Sequence, residues 1–416
     1  MREMKDSGIE WVGTIPAHWS TMPNKYVMRK IKFINPTYNG ENILSLTVNG
    51  VIVRDLEAGG KMPSSFDGYQ ILYKGNLLMC LFDYDVTPRC IGLIKDSGVS
   101  SPAYSQFVLQ RGNDAAYFYY YYLMVDHTKA LLHRAKNLRH SFTEEQLGAI
   151  KVPVPPIAEQ ERIADFLDSQ CSQIDAISAD IQKEIETLEQ YKRSLVFEAI
   201  SKGINGEKTA NASSDIWKEI PQSWKLVDIK YLFEIVKRIA GREGYNILSV
   251  TQKGLKVKDI SGNQGQIAEN YSGYQFVFPS DYVMNHMDLL TGWIDCSDQF
   301  GVTSPDYRVF RLRDKTQNDT EYYKYVMQCC YMCRIFYSLG QGVSTLGRWR
   351  LQTSAFMNFK VPVPPLHEQK EIARYLNDKC KEIELSIEQK RKQLELLSSY
   401  KKSLIYEYVT GKKEVI

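Results

Sequence analysis

No stretch of this chain is apolar over the ~18 consecutive residues that a membrane helix needs, and no leader pattern stands at its start. The expectation is a cytoplasmic chain with no membrane partner. Excess charge of one sign is also missing: 52 Lys and Arg stand against 49 Asp and Glu, a net +3. A globally basic character does not announce nucleic acid, so any such signal has to be local. Cysteines number 8 in 416 residues, and without a leader they read as reduced thiols. Cys330 and Cys333 form a C-x-x-C beside Cys329, but no second ligand pair follows at zinc spacing. These thiols are expected to be packing residues, and no metal is expected.

Catalytic patterns are absent as well. There is no G-x-x-x-x-G-K-[ST] loop for a nucleotide. Asn35-Pro36-Thr37-Tyr38 resembles the N-P-P-Y motif of adenine methyltransferases but has Thr in place of the second Pro, and no Gly-rich methyl-donor loop accompanies it. Asp83-Tyr84-Asp85 has no lysine beside it in a nuclease-like arrangement, and the second half of the chain has Asp288 alone there. The expectation is a non-enzyme that binds no cofactor itself.

What the sequence does contain is itself, twice. Lys151-Val152-Pro153-Val154-Pro155-Pro156 with Glu159-Gln160 returns 209 residues later as Lys360-Val361-Pro362-Val363-Pro364-Pro365 with Glu368-Gln369. Tyr191-Lys192-Arg193-Ser194-Leu195 returns at the same offset as Tyr400-Lys401-Lys402-Ser403-Leu404. Asn42–Thr47 returns as Asn246–Thr251, Gly98–Tyr104 as Gly301–Tyr307, and Ile15-Pro16 with Trp19 as Ile220-Pro221 with Trp224. Two copies of about 205 residues are too long and too few for a solenoid. In each copy, short β-type runs with turns such as Asn49-Gly50, Gly59-Gly60 and Asp67-Gly68 precede a tyrosine-rich helix expected near Tyr117–Leu132. This part reads as α+β.

A long helix follows each proline pair, because Pro155-Pro156 and Pro364-Pro365 stop whatever precedes them. Leu167, Cys171, Ile174, Ser178, Ile181, Ile185, Leu188, Lys192, Leu195 and Ala199 step 4,3,4,3, as do Leu376, Cys380, Ile383, Ile387, Lys390, Leu394, Leu397, Lys401, Leu404 and Tyr408. A mostly apolar a/d seam of that length is a coiled-coil signature. Gly203 and Gly411 fall where a helix commonly ends. About 40 helical residues span roughly 60 Å. A pseudo-two-fold relation between copies would pair the helices antiparallel, giving two tandem α+β domains separated by two long helices. The boundaries read are 1–152 for the first globular part, 153–202 for its helix, 203–361 for a linker and the second globular part, and 362–416 for the second helix. Ser201–Asp215 reads as the linker.

Charge separates the parts. Glu159–Gln190 carries carboxylates throughout, with only Arg162 and Lys183 as bases, and suits a spacer or a protein-docking surface better than DNA. His127–Thr143 has no carboxylate but contains Arg134, Lys136 and Arg139. Tyr322–His367 likewise has none, and there Gln341, Ser344, Arg348 and Arg350 lie about a Gly-rich turn. Arg139 and Arg348 each stand 12 residues before the repeated K-V-P-V string. Basic and amide side chains on adaptable loops suit phosphate contact and base-edge reading, so these seven are the candidate DNA-binding residues.

The tandem layout, the V-P-x-P-P-x-x-E-Q string entering a long helix, the Y-[KR]-[KR]-S-L ending and I-P-x-x-W near the start of each copy together resemble the specificity subunits of Type I restriction–modification systems. The resemblance covers essentially the whole chain. It implies that each globular part is a target recognition domain for one half of a split site in double-stranded DNA. It implies that the helices set the gap between half-sites and dock two methylation subunits, which carry S-adenosylmethionine, and that restriction subunits join that core. The alternative is a coiled-coil adaptor that reads no sequence; it would not need basic loops at matched places.

Overall fold

The computed structural model describes residues 2–57, 63–135, 140–212, 214–259, 270–342 and 349–415. The chain divides into two compact units, Met1–Gln182 with Lys392–Ile416, and Lys183–Arg391. Each unit takes one globular part together with a portion of both long helices.

In the first unit a four-stranded antiparallel sheet runs in the order Met28–Ile31, Ser105–Leu109, Leu77–Met79, Ile91–Leu93. Successive side chains of a strand point to opposite faces, and both faces are covered here. Leu77 and Met79 enter the main core with Phe118, Tyr121 and Val125 of the tyrosine-rich helix, whereas Leu78 enters a smaller core with Leu44, Leu72 and Ile94. The second unit repeats the scheme with Phe233–Val236, Arg308–Leu312, Tyr282–Met284 and Ile294–Cys296. Tyr282 and Met284 face the main core there, and Val283 joins Leu248, Val277 and Val309. The turn read at Asn49-Gly50 joins the hairpin Leu44–Thr47 to Gly50–Val53, and Gly50 has φ +97°, a conformation that favours glycine. Gly59-Gly60 lies outside the described residues.

The tyrosine-rich helix differs from its expected span. It runs Ala115–His127, capped by the Asp114 side chain, and stops at Thr128 because Lys129 takes a left-handed φ of +48°. Its counterpart is Thr320–Met332 with Asp319 as cap. Cys329 and Cys330 are fully buried on that helix. The stretch read as the linker is partly structured: Thr209–Asn211 pairs with Glu219–Pro221.

The repeated strings form a frame. Lys151–Val154 pairs with Ser20–Pro23, and Lys360–Val363 with Lys225–Asp228, as two-stranded ribbons that tolerate proline because they are all edge. The Gln160 side chain, 0% exposed, donates to the Pro155 carbonyl at 2.8 Å and accepts from the Asp114 amide at 2.8 Å. Gln369 bonds Pro364 and Asp319 in the same way, at 2.9 and 2.8 Å. The preceding Glu159 accepts from Trp19 Nε1 at 3.0 Å, and Glu368 accepts from Trp224 Nε1 at 2.9 Å. Burial would raise the Glu159 carboxyl, but His18, Arg2 and Trp19 together hold it below the usual range. The same tryptophans meet the end of the other long helix. A Cβ on Gly411 would stand 2.8 Å from Trp19, and one on Gly203 would stand 3.3 Å from Trp224. The I-P-x-x-W motif thus joins the start of one long helix to the end of the other within each unit.

Gln160→Ala leaves a half-buried amide and a buried carbonyl unpaired, and a destabilisation of about 3 kcal/mol is expected. Denaturant unfolding followed by a probe in the first unit measures it; Gln369→Ala should do the same to the second.

The long helices run Ile157–Lys202 and Leu366–Val409, followed by Gly203 and Gly411 at φ +74° and +68°. In the first unit Phe166 packs on Tyr408 at 4.4 Å between ring centroids, and Lys401 Nζ bonds both Asp175 oxygens at 2.6 and 2.7 Å. In the second, Lys192 pairs with Glu384, Lys390 with Glu184, and Arg391 with Glu189 at 3.0 Å. Numbers rise along one helix as they fall along the other, so the pairing is antiparallel. Lys192–Glu384 and Lys401–Asp175 are the same contact in the two copies, 209 residues apart. Exposed pairs like these contribute little stability and chiefly fix register. The seam supplies the burial: every seam residue is buried or half-buried, with Leu167 and Leu376 at 0% exposure.

Candidate nucleic-acid interface

At the far end of each sheet, two loops are stitched together by backbone bonds. In the first unit, the loop between Leu77–Met79 and Ile91–Leu93 meets the segment before the K-V-P-V ribbon: Phe142 N–H donates to the Leu81 carbonyl at 2.7 Å, and Tyr84 N–H to His140 at 3.4 Å. In the second, Leu351 N–H donates to His286 at 2.9 Å, and Leu289 N–H to Trp349 at 3.1 Å. The stitches are equivalent, and the side chains around them are not.

Of the candidate DNA-binding residues, Arg134, Gln341 and Arg350 are described; Lys136, Arg139, Ser344 and Arg348 lie outside the described residues. Arg134 is exposed, on a short 3-10 turn Leu132–Arg134, with its guanidinium 5.3 Å from the Trp11 ring centroid. Gln341 and Arg350 are brought together. Each donates its N–H to the other's carbonyl, at 2.9 and 3.0 Å, and both side chains are exposed. Trp349 is held beside them by a 2.7 Å bond from Nε1 to the Tyr337 carbonyl. A Cβ on Gly340 would stand 2.3 Å from that ring, so glycine is required there.

The segment His127–Thr143, free of carboxylates in sequence, is not free of them in space. His140 Nδ1 lies 3.1 Å from Asp85, and His133 Nε2 3.6 Å from Glu10. The fold also brings a lysine to Asp83-Tyr84-Asp85: Lys129 Nζ stands 4.7 Å from the Tyr84 ring centroid, bonded to Asp126 at 2.7 Å and the Thr87 carbonyl at 2.8 Å. That lysine is engaged in holding the loop.

Sequence reading missed three groups. Arg89 reaches across to the β-hairpin, donating from Nη1 to the Val48 carbonyl at 2.7 Å and from Nε to Ile91 at 3.1 Å. Arg308 is buried under Leu351, and burial lowers it to about 10. His286 is lowered to about 4 by burial and by Arg308 and Arg350, and is neutral at neutral pH. A basic residue inside a strand pattern, such as Arg308 in R-V-F-R-L, carries no sequence signal of a site.

Other exposed residues recur in both units. Tyr26 and Tyr231 are exposed, each with the preceding lysine near its ring, at 5.1 and 5.2 Å. Tyr191 and Tyr400 are each exposed on the long helices. Folding does not demand identical exposed side chains at equivalent places. Among the described residues no group of three or more His, Cys, Asp or Glu could hold a metal ion, and no helix is long and apolar enough to cross a membrane.

Arg348→Ala, and Arg139→Ala in the other unit, are each expected to weaken DNA binding by roughly 1–3 kcal/mol where the arginine reads a base bidentately. A gel-shift titration measures it. Equal weakening on all sequences with a flatter salt dependence assigns a phosphate instead, and unchanged binding by both variants removes the pair from the interface.

Known proteins share this layout. The family described as the Type I restriction modification DNA specificity domain matches twice, over residues 30–187 and 221–396. The Type I restriction enzyme MjaVIII specificity subunit of Methanocaldococcus jannaschii is 27% identical over 285 residues, covering 64% of this chain and 63% of that protein. The putative Type I restriction enzyme MjaX specificity subunit of the same organism is 27% identical over 305 residues, covering 69% of this chain and 64% of its own length. The matches thus span somewhat less than two thirds of these relatives. A solved structure from work on complex assembly and conformational transition of the type I R-M system superposes with a TM-score of 0.67 at 13% identity, over 96% of this chain and 99% of that one. That likeness shows the fold.

Proposed function

The chain belongs to the Type I restriction–modification DNA specificity family, and from that premise we propose that each of its units reads one half of a split target in double-stranded DNA. One observation carries this reading. The frame is built twice from the same residues, Trp19 on Glu159 and Trp224 on Glu368, with Gln160 and Gln369 beside them, while the stitched loops it presents differ. Two like holders with unlike loops suit a target whose halves are unlike. A coiled-coil adaptor has no use for that difference.

The chain does no chemistry in this reading. Two methylation subunits dock on the features that recur, among them Tyr26 with Tyr231 and Tyr191 with Tyr400, and they carry the S-adenosylmethionine; restriction subunits add to that core. Net charge is only +3 and the first long helix is acidic, so phosphate neutralisation by this chain is limited. Partners that clasp the duplex supply the missing counterion release. The test is the mass and DNA affinity of the complex reconstituted with a cognate methylation subunit. One copy of this chain with two methylation subunits, binding far more tightly than the chain alone, is expected. Saturation by one methylation subunit contradicts the two-dock reading.

A further inference from the structure

Arg308 is 5% exposed, and among the described residues no carboxylate pairs with it. Its partners are neutral. Nη2 donates to the Leu351 carbonyl at 3.1 Å and to Thr353 Oγ1 at 3.2 Å, Nη1 lies 3.8 Å from Met284 Sδ, and the guanidinium stands 4.9 Å from the Phe356 ring centroid. The positive charge is therefore solvated by dipoles and a ring face but not neutralised. Two more basic residues join it through the Leu351 backbone. His286 accepts the Leu351 N–H through its carbonyl, and its Nδ1 is buried without a partner; Arg350 is the preceding residue and is exposed. Asp306 is near enough to be felt by His286, yet makes no ion pair with either arginine among the described residues. In the first unit the position equivalent to Arg308 holds Ser105, so the charge belongs to one reader only.

A buried unpaired cation is costly to keep. Its field is weakly screened in a low-dielectric surrounding, so an anion at the adjacent surface gains from it. We propose that Arg308, His286 and Arg350 form an anion site in the second unit that receives one backbone phosphate of the DNA half-site. Arg350 makes the exposed contact, His286 offers a ring N–H, and Arg308 supplies charge from beneath. This site rests on the DNA-reading function proposed above and specifies where one phosphate is held. The simpler role for Arg308 is a brace that ties Leu351 and Thr353 to the sheet.

The two roles separate on duplexes in which single phosphates are replaced by neutral methylphosphonates, bound by the full complex with its methylation subunits. With the unaltered chain, one substitution in the second half-site should lower affinity roughly tenfold, as the loss of one ionic contact does. With Arg308→Met, affinity should fall by a similar factor, that same methylphosphonate should no longer matter, and the salt slope should drop by about one. First-half phosphates should keep their effects. If Arg308→Met melts early, Arg350→Gln, an exposed change, should show the same loss of sensitivity at the same phosphate. A variant that binds weakly but keeps every methylphosphonate effect overturns the site and leaves a brace. Absence of any sequence-preferring complex with the unaltered chain overturns the DNA-reading conclusion itself, and the phosphate site with it.

Discussion

Exchanging residues 1–150 for the equivalent part of a relative should alter one half of the methylated motif and leave the other half unchanged. The segment carries the whole first sheet, its tyrosine-rich helix and its stitched loops, and it ends before the ribbon strand Lys151–Val154. It attaches to the rest of the unit through the ribbon pairing of Ser20–Pro23 with Lys151–Val154, a shared apolar core and a set of specific bonds. Trp19 bonds Glu159, Tyr120 donates to Asp168 at 2.6 Å, and Tyr117 donates to the Val409 carbonyl at 2.9 Å. The second unit makes the equivalent Tyr325–Asn377 contact at 2.7 Å, so an incoming segment that retains the frame residues should seat. Each base pair wrongly matched costs about 1–3 kcal/mol. Two or three new preferences in one half therefore reduce affinity for the old motif by roughly thirtyfold at the least, and by about a thousandfold or more at mid-range costs. Assembly with methylation subunits should survive. A chimera that changes both halves would mean that the units do not read independently.

Inserting seven residues into each long helix, after Gln182 and after Arg391, should lengthen the preferred gap between half-sites by about three base pairs. Both helices run through the residues at which the chain passes from one compact unit to the other. Seven residues preserve the 4,3 seam, so the buried positions stay buried. They add about 10 Å of helix at ~1.5 Å per residue, against ~3.4 Å per base pair. The residual rotation is only ~20°. The half-site sequences themselves should not change. Insertion in one helix alone breaks the antiparallel register set by Lys192–Glu384 and Lys401–Asp175 and should destabilise the pair instead. A double-insertion protein that still prefers the original gap would show that the helices are not what sets it.

How much of this was legible in the sequence depends on the range of the interaction. The seams were legible because a 3.5-residue period is a local property, and Gly203 and Gly411 ended the helices where a left-handed residue was needed. The repeated E-Q was visible as a string but not as a device, since its partners Trp19 and Trp224 lie 140 and 144 residues away. The tyrosine-rich helix was overextended because nothing at Thr128-Lys129 signals a stop; the left-handed Lys129 is held there by Asp126 and Thr87. The basic segments were found by counting charges along the chain, which cannot see Asp85 and Glu10 arriving from elsewhere. Arg308 was invisible for the converse reason: its importance lies in the carboxylate that is not beside it.

The most direct test is methylation mapping of genomic DNA from cells that express this chain with its methylation subunits, compared with cells lacking the chain. The result expected is one split motif, two unlike short sequences separated by a fixed unspecified gap, modified on both strands and lost with the chain. A continuous motif, a split motif with two identical halves, or a methylation pattern indifferent to the chain's presence would contradict the two-reader account.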